Sequence, residues 1–109
     1  MKYLTSLAIA CGLMTTLAAQ AAPDADAAQA LMRKSDCFKC HAIDKKKDGP
    51  PFKEVAKKYK GKADAEDKLV KHITTAPMVE IDGKKEEHRQ IKTKDADQIK
   101  NVVDWILSL

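Results

Sequence analysis

Apolar positions along the chain recur at helical spacing. Ala27, Ala28, Leu31 and Met32 share one face, and so do Ile99, Val102, Val103 and Ile106. Asp24 or Asp26 can cap the first of these helices, and Thr93 or Asp95 the last. Between them, residues 51–59 begin with Pro51, which suits a first helical position, and run to a natural stop near Gly61. Residues 63–74 carry Asp64, Glu66 and Asp67 in their first turn and place Leu69 and Ile73 one turn apart, as a half-buried helix would. No strand pattern stands out, so the expectation is an all-α domain of about four helices. Residues 75–92 form a long polar connection, and loops of that length in small domains are usually functional or disordered.

The first stretch follows a different logic. Residues 1–21 combine Lys2, a nearly continuous apolar and small-residue run from Leu4 to Leu17, and Ala19-Gln20-Ala21, the small-x-small pattern of a secretory cleavage site. The run is short for a transmembrane helix. The reading is therefore a signal peptide over residues 1–21 and a domain over residues 22–109, periplasmic and without stable membrane insertion once the signal is removed. Cys11 is lost with that segment.

Removing Lys2 lowers the formal charge from +4 to +3, and both signs are interleaved along the rest of the chain. Aromatic residues make up only 5% of the sequence. A nucleic-acid surface needs clustered cations and stacking aromatics, so that class is excluded. Without repeats or a linker, a single small domain remains, and domains of this size usually need a staple beyond their side-chain core. Only Cys37 and Cys40 are left for one, and a disulfide between them would close a trivial loop.

Cys37-Phe38-Lys39-Cys40-His41 offers another use for these sulfurs. Two cysteines on one turn can form thioethers to the two vinyl groups of a haem, and the adjacent His then points at the iron. Such a cofactor would also provide the missing apolar mass. The competing readings are weaker. A thioredoxin-like pair wants a βαβ context that the pattern lacks, and a structural zinc site needs two more ligands when only His72 and His88 remain.

At this point the chain resembles the short bacterial class I monohaem cytochromes c. The likeness runs through the N-terminal helix, Cys37-x-x-Cys40-His41, Ala42-Ile43-Asp44, Gly49-Pro50-Pro51-Phe52, the Val55-Ala56-Lys57-Lys58-Tyr59 helix and a last helix bearing Trp105. It implies a class I cytochrome c fold around one covalent haem c, with Cys37 and Cys40 attached and His41 as proximal iron ligand. It further implies that the Pro50 carbonyl accepts a hydrogen bond from the outer nitrogen of His41, and that Trp105 packs near the crossing of the first and last helices. His72 stands where the family often has a basic residue facing a haem propionate; a surface role is the alternative.

The departure lies in the sixth iron ligand. The family usually supplies a Met from the second half of the loop before the last helix, and the loop's Met here, Met78, comes only five residues after Ile73. His88, 47 residues after His41 and 17 before Trp105, lies nearer the family's position. The reading favours His88 and keeps Met78 as the alternative. Ligation by His on both faces predicts a six-coordinate iron with a lower potential than His/Met ligation. The function expected is one-electron transfer between a redox protein donor and acceptor, with no substrate transformed and hence no enzyme activity. The alternative is a haem-based binder or sensor of a small gas such as NO. Pairing with another cytochrome is also open. Lys45, Lys46, Lys47 and the lysines from 53 to 62 are a docking face for an acidic partner or simply solvated charge.

Overall fold

A computed structural model describes residues 21–109. The proposed signal peptide falls almost wholly outside them. In chain order the elements are α1 (Ala25–Lys34), α2 (Cys37–Cys40), α3 (Phe52–Tyr59), α4 (Ala65–Thr74), β1 (Met78–Ile81), β2 (Lys84–Glu87) and α5 (Ala96–Leu107). The described residues thus form five helices and one two-stranded antiparallel hairpin.

Caps set the helix starts. The Asp24 side chain accepts from the Ala27 amide, and Asp95 accepts from Asp97 and Gln98, so one free N–H at the start of the first helix and two at the start of the last are satisfied. Pro51 precedes α3 as its cap, one position earlier than a first helical residue, and its carbonyl accepts from Glu54 and Val55. Helix α4 starts at Ala65, two residues after the position the pattern suggests, because residues 62–65 form a separate turn closed by the Ala65 amide on the Lys62 carbonyl.

Helix α5 is the organising element, packing against α1, α3 and α4. Its inner face contributes Ile99, Val102, Val103, Trp105 and Ile106, which join Ala28, Met32, Phe52, Leu69 and Ile91 in one core. Asn101 bonds both backbone groups of Asp24 at 2.8 and 2.9 Å, fixing the start of α1 against α5. Trp105 is buried, and its ring meets that of Phe52 on α3 edge-on at 6.2 Å.

The expectation of an unstructured connection over residues 75–92 is corrected by the hairpin. Met78 pairs with Glu87, Val79 with Glu86, Glu80 with Lys85 and Ile81 with Lys84. Asp82 and Gly83 both hold positive φ, 50° and 78°, the mirror-image turn whose twist matches that of paired strands. An Asp-Gly pair after Val79-Glu80-Ile81 was the available signal. It was obscured because β2, Lys84-Lys85-Glu86-Glu87, is fully exposed and carries no apolar alternation.

Candidate functional site

The site grows from a single turn. Helix α2 holds Cys37 and Cys40 at its two ends, and His41 follows in extended backbone, with its amide on the Cys37 carbonyl. Both thiols are free. Burial pushes the Cys37 thiol up to about 11, the opposite of the depressed value a redox thiol requires.

The segment after His41 folds back over the turn. The Gly49 amide donates to the Cys40 carbonyl, Phe52 to Ala42 and Lys53 to Ile43. This return brings the Pro50 carbonyl to 2.7 Å from His41 Nδ1. With Nδ1 donating, Nε2 keeps its lone pair for a metal, and the ring orientation is fixed. Phe52 stacks on the same imidazole at 4.9 Å between ring centroids. Cys37, Phe38 and Ile43, from this turn and the segment after it, are partly buried and pack against the core.

His88 comes from the segment after the hairpin. It follows β2, its amide donates to the Pro77 carbonyl at 2.8 Å, and its ring lies 6.1 Å from that of His41 with the planes inclined at 51°. His88 Nδ1 is buried without a hydrogen-bond partner among the described residues. Burial, with His72 nearby, holds the His88 pKa below the usual histidine value. His72, on α4, meets His88 edge to face at 4.4 Å, and its own pKa is lowered by burial and by His41 and Lys58. The three histidines therefore form one cluster, although α3 and the hairpin intervene between them in sequence.

Met78 is placed differently. It opens β1 opposite Glu87 and is 58% exposed. The hairpin brings the start of the connection back beside His88, so the two candidate ligands are neighbours in register although ten positions apart. Sequence reasoning missed this closeness because it depends on the hairpin.

These residues fit a haem. The oriented His41, the unpartnered buried atom of His88 and the partly buried Phe38 and Ile43 beside two free thiols form the donor and wall chemistry that an iron porphyrin requires. Among the described residues, no helix is long and apolar enough to cross a membrane.

Comparison with known proteins gives the same picture. A family model described as cytochrome c matches residues 25–109. Cytochrome c-551 of Allochromatium vinosum is 38% identical over 96 residues, covering 88% of this chain and 100% of the relative. Cytochrome c-552 of Nitrosomonas europaea is 36% identical over 93 residues, 85% of this chain and 84% of the relative. Among solved structures, the class 1 cytochrome MtoD from Sideroxydans lithotrophicus superposes with a TM-score of 0.76 at 55% identity, covering 80% of this chain and 97% of that one.

Proposed function

This chain belongs to the cytochrome c family, and from that premise we propose that it is an exported one-electron carrier whose haem iron is held between His41 and His88. The family carries one covalently attached haem c and moves electrons by it. Bound haem supplies a one-electron iron couple, and the protein sets its potential and access. Cys37 and Cys40 form the thioethers. Pro50 holds His41 in the tautomer that leaves Nε2 as the proximal donor, and Phe52 stacks on the same ring.

The observation that carries the distal assignment is the 6.1 Å separation of the two imidazole rings. Two imidazoles sharing one metal at nitrogen distances of ~2.0–2.1 Å have ring centroids about 6 Å apart, and the angle between their planes is free. Met78 opens the hairpin with its side chain exposed. The leader in residues 1–21 supports a periplasmic location, and redox proteins are the partners on both sides of the transfer, with no chemistry performed on a substrate.

The test is optical. The wild type should be low-spin in both oxidation states, without the far-red band of Met-to-ferric-iron ligation, and should take up CO poorly when reduced. His88→Ala should yield a high-spin or water-bound iron that takes CO readily, whereas Met78→Leu should leave the spectra unchanged. The reverse pattern assigns Met78, and ready CO uptake by the wild type indicates a gas-binding protein.

A further inference from the structure

Asp36 occupies a left-handed backbone conformation, φ 61° and ψ 22°, immediately before Cys37. Glycine adopts this conformation freely, and a residue with a Cβ does so against a steric cost. Strain retained beside a functional turn calls for a reason. The side chain supplies one, because its carboxylate gathers three cations. Arg89 Nη1 lies 2.9 Å from Oδ2, Lys92 Nζ 3.5 Å from Oδ2, and Lys39 Nζ 3.4 Å from Oδ1.

Two of those cations belong to the segment that follows His88. The same segment is held at its far end by the neighbouring residue: Ser35, 1% exposed, accepts from the Lys92 amide through Oγ at 2.9 Å. Ser35 and Asp36 therefore grip residues 89–92 at both ends, and Arg89 is bonded directly to His88. The other restraints nearby are the His88 amide on Pro77 and the Ile91 amide on Ile73. Of all these contacts, the Asp36 cluster and the Ser35 bond join the distal segment to the turn that bears Cys37, Cys40 and His41.

We propose that Asp36, acting through Arg89 and Lys92, is the positioning residue that holds His88 opposite His41 and sets how readily an added neutral ligand displaces it. This rests on the reading of His88 as distal ligand. A single exposed ion pair contributes little, whereas a partly buried carboxylate bridging two segments 53 residues apart restrains a loop. The linkage is electrostatic, so salt should loosen it.

The test uses the purified haem-loaded protein, reduced, titrated with CO at low and high salt. CO is neutral, so changing a charge does not by itself alter its encounter with the iron. Asp36→Asn and Arg89→Gln should each raise the apparent CO affinity about two- to fivefold at low salt, the double variant should go no further than Asp36→Asn alone, and the excess should fade in concentrated salt. Asp36→Gly separates positioning from folding, because it relieves the backbone strain while removing the carboxylate. It should raise CO affinity while its thermal midpoint stays level or rises. CO affinity unchanged in Asp36→Gly and Arg89→Gln, in a protein where His88→Ala opens the iron, overturns the positioning role alone. CO binding unchanged in His88→Ala overturns the ligand assignment and this inference with it.

Discussion

Gly49 lies so close to His41 that a methyl group built on its Cα would overlap the imidazole, with Cε1, Nδ1 and Nε2 all in its path. The requirement is steric, since the neighbour is a ring already fixed by the Pro50 carbonyl and by stacking on Phe52. Gly49→Ala is expected to displace the ring or the 49–52 return, destabilising the protein by about 1–3 kcal/mol as overpacking does. Thermal unfolding of the haem-loaded protein should show a lower midpoint, accompanied by a high-spin fraction in the optical spectrum. An unchanged midpoint and spectrum would mean that the loop yields without effort.

Covalent attachment at both cysteines has its own signature. Denaturing gels of the wild type should retain peroxidase-active haem on the protein band, and acid-acetone should fail to extract it. Cys37→Ala or Cys40→Ala should leave one thioether and reduce the yield of loaded protein. The double substitution should release haem and leave a poorly folded chain, because the small core loses its largest apolar component.

Asp64 and Lys68 form an ion pair at 2.9 Å across one turn at the start of α4. The hydrogen bond from Lys68 holds the Asp64 pKa below its ordinary 3.8. A carboxylate depressed in the folded state stabilises the fold above its unfolded pKa, and that contribution is lost as the pH falls through the lower folded value. Asp64→Asn should therefore lower the thermal midpoint slightly at pH 7, with the gap to wild type closing below about pH 3.8. A gap that persists in acid would assign the effect to packing rather than to charge.

The lysines beside the site are exposed, and two of them are already engaged: Lys47 donates to the Phe38 carbonyl, and Lys53 pairs with Asp44 at 2.7 Å. Docking of an acidic redox partner would fall to others on α3 and beyond it, such as Lys57 and Lys60. Lys57→Glu with Lys60→Glu should slow bimolecular electron transfer at low salt while leaving the optical spectrum alone. The difference should vanish near 1 M salt, where charges are screened beyond about 3 Å. A rate equally indifferent to charge and salt would identify these lysines as solvated surface.

What the sequence by itself determined is the set of features whose cause is local. Helices α1 and α5 follow from apolar spacing and from Asp24 and Asp95 as caps, and Cys37, Cys40 and His41 are brought together by a single turn. The Pro50 contact was legible too, through family resemblance, because only nine residues separate it from His41. The tertiary structure decided the rest. A polar hairpin in place of a loop, Met78 turned outward beside Glu87, His72 against His88, and Asp36 gripping Arg89 all depend on strand register or on pairs more than fifteen residues apart. Hydrophobic period carries no information about such closures, since an exposed strand has no buried face to set its pattern and a long loop can bring many different side chains to one place at nearly equal entropic cost.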